Sequence, residues 1–337
     1  MKKIISSALI CILFLMQFTL LSSASYSEEK IFSEQNDLSF SQTEFSNLSD
    51  GQIAKIKLEQ LNIPESIVEK IPNKYFETIV KSVRIISSIS YYSEDKDSDK
   101  LIPISKSEYK KAVKWHHDNI ELLKTQYNTH NSLSTTNNVI INTSDGNSKN
   151  INGGKLGLVI LLFDKGNGEF MTLGISQWEV LPKTRFEDAI GISRSEGITV
   201  KAKSAQGVYS YTYVDYPYGG KSTSTTIDKP ISFNDLEVSS NGYAYEFSLF
   251  LDIYEKIENT QIERPSRIYS DATCFILYEG NVNNDNIKSF NHWLTYAHKV
   301  FTLGFNGIDF SIPFNVGFTV NLTTKYEQMY EEHSWYR

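Results

Sequence analysis

Short catalytic signatures are missing from this sequence. It has no His-Glu-x-x-His, no Walker loop and no Gly-x-Ser-x-Gly. The nearest serine pattern, Gly191-Ile192-Ser193-Arg194-Ser195, has Ser195 where the second glycine is required, so it reads as an ordinary strand and turn. Cysteine is nearly absent, with two residues in 337. Cys11 lies in the N-terminal apolar run, which leaves Cys274 without an intramolecular partner and excludes a disulfide framework. Positive charge is also in short supply, at 33 Lys and Arg against 40 Asp and Glu. With no long basic cluster to compensate, nucleic acid and anionic membrane surfaces are poor partners.

One long apolar run exists, Ala8 to Leu21, and it has the layout of a secretory leader. Lys2 and Lys3 precede it, and the small residues Ser22-Ser23-Ala24-Ser25 follow. Residues 1–24 are expected to be a signal peptide cleaved after Ala24 or Ser25, which makes the mature chain a secreted, extracellular bacterial protein. The run is short for a span of about 20 residues and Gln17 interrupts it. Cys11 sits mid-run, where a lipidated cysteine would close the run. Removing residues 1–24 takes Lys2 and Lys3 away and moves the formal charge from −7 to −9.

Residues 25–47 mix Ser, Glu and Gln with scattered Phe and predict a flexible segment. A helical region is expected over 48–127. Ser49 and Gln52 have capping-box spacing, Pro64 and Pro72 suit helix starts, and Tyr109, Ala112, Val113, His116, Ile120, Leu123 and Tyr127 form a helical stripe. Residues 128–154, rich in Asn, Ser and Gly, predict a linker.

From Lys155 the period changes to two, which predicts an antiparallel β domain over 155–337. Leu156–Phe163 and Phe170–Val180 flank Asp164-Lys165-Gly166-Asn167-Gly168 as a hairpin. Tyr243, Tyr245, Phe247, Leu249, Leu251 and Ile253 alternate, as do the apolar residues from Ile308 to Leu322. The latter run is too long for one strand of a compact domain, so a bend near Pro313 or Gly317 is expected. The fold class is α+β, a helical N-terminal region followed by an antiparallel β-sandwich-like domain.

No metal site or cofactor is expected. Asp95, Asp97 and Asp99 resemble the start of a calcium loop, but Lys100 stands where glycine is needed and Lys106 where a bidentate Glu is needed. His292 and His298 are spaced too widely to share a metal along a strand, and Cys274 lies in an apolar β-like run typical of a small buried hydrophobe.

Two binding features remain. Tyr209, Tyr211 and Tyr213 form an aromatic ladder that could present a platform for sugar rings or pack across strands. Phe314, Val316, Phe318 and Val320 alternate with uncharged polar residues, as in a membrane-spanning β-hairpin. The leading reading is an extracellular binding or interaction module whose ligand is a glycan or cell surface. A secreted pore-former using 308–323 and an extracellular hydrolase of unrecognised type are the alternatives.

Overall fold

The computed structural model describes residues 33–40, 45, 48–95, 100–130, 153–183, 185–256, 263–282, 289–299, 310–311, 319–320 and 326–336. The leader expected over 1–24 and most of the linker expected over 128–154 lie outside these residues.

Helix α1, Asp50–Gln60, begins at the capping box: the Gln52 N–H donates to Ser49 Oγ and the Ser49 N–H to Gln52 Oε1. Pro64 precedes α2, Glu65–Val68, and Pro72 precedes a short 3-10 turn that leads into α3, Phe76–Lys81. Buried Lys57 of α1 donates to the carbonyls of Ile79, Val80 and Ser82 at 3.3, 2.8 and 2.8 Å. A cation at the C-terminal carbonyls of α3 complements that end of the helix. The long helix α4 spans Lys106–His130. Among the described residues, no helix is long and apolar enough to cross a membrane.

The expectation of a helical region over 48–127 is corrected. Between α3 and α4 run two strands, β2 at Arg84–Glu94 and β3 at Leu101–Ile104, and ahead of α1 lies β1 at Glu34–Ser39, inside the segment expected to be flexible. β2 sits inside a sheet between β1 and β4, Lys155–Gly166. Its residues are buried on both faces from Ile85 onward, so apolar and small polar residues follow one another without a clean alternation.

The larger sheet also contains β5 (Glu169–Val180), β7 (Thr199–Val200), β8 (Gln206–Asp215), β9 (Thr223–Ile231), β12 (Ile253–Lys256) and β13 (Glu263–Asn281). Its central order is β1-β2-β4-β5-β13-β8-β9, with β3 on β2 and both β7 and β12 on β13. The turn between β4 and β5 carries positive φ at Gly166, Asn167 and Gly168, as the hairpin expectation requires. The second sheet contains β6 (Glu187–Arg194), β10 (Glu237–Val238), β11 (Gly242–Ser248), β14 (Ser289–Lys299) and β17 (Tyr326–Tyr336), ordered β10-β11-β6-β14-β17. The described pairings in both sheets are antiparallel.

Alternation along β4 sorts its side chains into two cores. Leu156, Leu158, Ile160 and Leu162 join Ile190, Ile192, Leu294 and Tyr296 between the two sheets. Val159, Leu161 and Phe163 join Leu58, Ile67, Ile79 and Val113 under the helices. The larger sheet is therefore the middle of three layers, with helices on one face and the second sheet on the other.

In the long alternating segment, β15 (Phe310–Ser311) and β16 (Thr319–Val320) pair antiparallel as a separate two-stranded ladder. Pro313 and Gly317, near which a bend is expected, lie outside the described residues. Phe314, Val316 and Phe318 lie outside the described residues.

Candidate ligand-binding surfaces

The tyrosine row on β8 runs from core to rim. Tyr209, Tyr211 and Tyr213 stand opposite Cys274, Ala272 and Tyr269 of β13, on the face toward the second sheet. Tyr209 is buried, its hydroxyl donating to the Ser248 carbonyl at 2.6 Å. Tyr211 and Tyr213 are only half-buried. Around them gather two rings that sequence spacing did not single out. Phe250 stacks on Tyr269 with centroids 5.2 Å apart and lies 4.7 Å from Tyr211, while Tyr269 lies 5.6 Å from Tyr213.

The segment carrying Phe250 is fixed by polar contacts. Arg185 donates to the Phe250 carbonyl and to Asp252 Oδ1, and the same Asp252 oxygen accepts the Tyr269 N–H at 2.8 Å. Cations cover part of the rings: Lys229 Nζ lies 5.2 Å from the centre of Tyr211, and the Arg267 guanidinium 3.9 Å from that of Tyr213. Beside this cluster Leu251, Ile253 and Tyr254 are 63%, 47% and 55% exposed. Ile253 and Tyr254 belong to β12, which pairs only with β13 among the described residues and forms an edge. The result is a contoured aromatic rim, since neighbouring ring planes are tilted by 30 to 58° in the pairs that join Tyr211, Tyr213, Tyr269 and Phe250, apart from the Phe250–Tyr269 stack.

A second concave feature lies on the opposite face of the larger sheet, between α1, α2 and α4. This cleft of about 730 Å³ has Tyr91, Tyr109, Ser66, Val113 and Glu179 among its lining residues. Tyr109 from α4 reaches over Gly157 of β4, where a Cβ would sit 3.3 Å from its hydroxyl oxygen. Leu156 pairs with Trp178 and Lys155 with Val180, so Glu179 is the extra residue of a β-bulge in β5. Glu179 follows Ile175 and Gln177 on the helix-facing side of β5 and accepts from the Ser66 hydroxyl at 2.5 Å, and the bulge brings the next residue, Val180, onto the same helix-side core. Burial pushes the Glu179 carboxyl above its ordinary range, against the opposing pull of the Ser66 hydroxyl and the nearby His117. The one sequence signal for this site is a lone acid in the apolar stretch Trp178-Glu179-Val180-Leu181.

The other polar residues of interest are structural. His298 and Asp188 face each other at 2.9 Å between the sheets, and Asp188 also accepts from Tyr296 and from Trp178 Nε1. His292, six residues earlier on β14, meets Thr172 and Tyr278 instead, so the two histidines occupy separate environments. Cys274 is fully buried and its thiol is pushed well above the usual range by that burial, the opposite of what a nucleophile needs. His116 is pushed down to about 4, first by burial and then by His117. Among the described residues, no group of three or more His, Cys, Asp or Glu side chains is placed to hold a metal ion.

No family model and no curated protein matches this chain. Among solved structures it is similar to the collagen-binding subdomain of the Enterococcus faecalis surface protein ACE, at 7% identity and a TM-score of 0.24, covering 50% of this chain and 88% of that one. It is also similar to CfaE, the adhesive subunit of the CFA/I fimbria of enterotoxigenic Escherichia coli, at 7% identity and a TM-score of 0.17, covering 74% of this chain and 73% of that one.

Proposed function

We propose that this chain is an exported binding module that contacts a ring-bearing ligand, of the glycan type, through the aromatic rim at Tyr211, Tyr213, Phe250, Tyr269 and Tyr254. The observation that carries this reading is the outer end of the tyrosine row. There half-buried rings meet exposed Leu251, Ile253 and Tyr254, with Lys229, Asp215 and Thr225 nearby as polar neighbours. Apolar sugar faces stack on aromatic side chains while hydroxyls need adjacent polar groups, and this rim offers both. The leader pattern in residues 1–24 supports an extracellular setting.

Retention on immobilised glycans and on bacterial cell walls tests the reading. A Tyr213→Ala/Tyr254→Ala double variant is expected to lose at least tenfold in retention, and Tyr209→Phe, altered only in the core, to keep it. Equal retention by the double variant and the parent would end the proposal.

A second reading, membrane activity, rests on the alternating pattern of 308–323 and on the antiparallel pairing of Phe310–Ser311 with Thr319–Val320. It requires the mature protein to release dye from liposomes, and a charge at Phe318 or Val320 to abolish release. A protein that leaves liposomes intact is not a pore-former.

A further inference from the structure

We infer that the cleft beneath α4 is a binding site for a ligand carrying a protonated amine, held by Glu179 with Tyr91 and Tyr109 as its walls. This site is on the other face of the sheet from the aromatic rim and stands or falls independently of it.

Glu179 is 7% exposed, yet among the described residues no Lys, Arg or His lies within ion-pair distance of its carboxyl. The lysines along the same face of α4 do not serve it. Lys106 holds Glu34 at 2.8 Å, Lys114 holds Asp118 at 3.3 Å, and Lys110, which also lines the cleft, makes no ion pair with Glu179 among the described residues. The neutral Ser66 hydroxyl donates to the Glu179 carboxyl directly, the Tyr109 hydroxyl interacts with the same carboxyl, and of the nearby charged groups His117 favours the carboxylate while Asp271 opposes it. A desolvated carboxylate without a counter-charge is costly, and an incoming cation removes that cost.

Two further groups aim at the same space. Tyr91 and Tyr109 are 1% and 3% exposed; the Tyr91 hydroxyl has no partner among the described residues, and the Tyr109 hydroxyl is directed to the Glu179 carboxyl without closing a well-formed hydrogen bond. Native interiors pair most buried hydroxyls, so the unsatisfied Tyr91 hydroxyl and the loosely held Tyr109 hydroxyl beside a cleft mark a place where a ligand supplies the partner. Their rings lie 4.6 Å apart at 40°, and an ammonium group that reaches Glu179 passes these faces. An ammonium has three donors and no acceptor, which matches a carboxylate and two phenolic oxygens.

Two features of the fold make the site. Alternation along β5 puts Glu179 on the helix-facing side, where the bulge leaves it without a cross-strand partner on β4, and the missing side chain at Gly157 leaves room for Tyr109 above the sheet.

Calorimetric titration of the full-length protein at pH 7 with 1,5-diaminopentane and with 1,5-pentanediol isolates the charge, because the probes share chain length and differ at their ends. The diamine is expected to bind and the diol not. Glu179→Gln, which keeps size and the Ser66 contact, is expected to weaken the diamine at least tenfold, and Tyr109→Phe, which keeps the ring, several-fold. Thermal melts of both variants confirm folding. Diamine affinity unchanged in Glu179→Gln, diol binding equal to diamine binding, or no diamine binding to the wild-type protein would each overturn the inference.

Discussion

Arg267 places its guanidinium 3.9 Å from the centre of the Tyr213 ring while holding both carboxylate oxygens of Asp215, at 2.6 and 3.1 Å. Tyr213 and Asp215 are two residues apart on β8 and so share a face, and Arg267 on β13 stands directly opposite Asp215. One side chain thus joins a ring, a carboxylate and two neighbouring strands at the outer end of the tyrosine row.

Arg267→Lys is expected to lose most of what Arg267→Ala loses, because an ammonium cannot make the two-pronged contact or lie flat on the ring. The group is about one-third exposed, so the loss is expected to be about 1 kcal/mol or less. Urea unfolding of the two variants measures it. A Lys variant as stable as the parent would mean that charge alone matters at this position.

Gly174 of β5 faces the second sheet so closely that a Cβ there would lie 2.5 Å from Ile192 Cγ2 and 2.7 Å from Leu294 Cδ1. Gly174→Ala is expected to destabilise by about 1–3 kcal/mol through overpacking between the sheets. Chemical denaturation should show a lower midpoint with an unchanged slope.

Glu179 gives a pH-dependent prediction with a definite sign. Its folded-state carboxyl titrates above its ordinary value of 4.5 because it is buried. Below that value both folded and unfolded forms are protonated and burial has no charge to penalise. As pH rises through 4.5 toward the raised folded-state value, the folded form must ionise a desolvated group and stability falls. Glu179→Gln is therefore expected to melt higher than the parent at pH 7, with the gain vanishing near pH 4. A gain of equal size at both pH values would show that ionisation is not its source.

Lys57 donates to three carbonyls that end α3, and its ammonium is buried. Lys57→Met keeps much of the stem but leaves those carbonyls to lose their donor, at an expected cost of about 1–3 kcal/mol. Hydrogen exchange in Phe76–Ser82 should quicken more than exchange in β4, and uniform quickening would place the effect elsewhere.

Cys274 is expected to resist iodoacetamide at pH 8 in the folded protein and to react fully in guanidinium, because its thiol is enclosed and its ionisation suppressed. Rapid labelling of the native state, read by mass spectrometry, would contradict the burial.

Much of the β fold was legible because alternation is a local property. The Phe170–Val180 strand, its hairpin turn and the capping box at Ser49 each announce themselves within a few residues. Strand β2 did not, because burial on both faces removes the contrast between inward and outward positions, and the prolines and helical stripe around it suggested a continuous helical region. The candidate sites divide in the same way. Tyr211 and Tyr213 are visible as a period of two, but Phe250 and Tyr269 join them only through pairing and loop geometry. Glu179 acquires its setting from α2, α4, β2 and a bulge, contributed by residues from Ser66 to Val180.

The sequence by itself determined that the chain is acidic, carries only two cysteines, and builds antiparallel strands over much of its length, because charge, cysteine count and alternation are written residue by residue. Only the tertiary structure decided that strands from before Lys155 complete the larger sheet, that Tyr209 is core while Tyr213 is rim, and that the Glu179 carboxyl is enclosed beneath α4. Burial and pairing arise from contacts between distant segments, and no local period encodes which segment will cover which face.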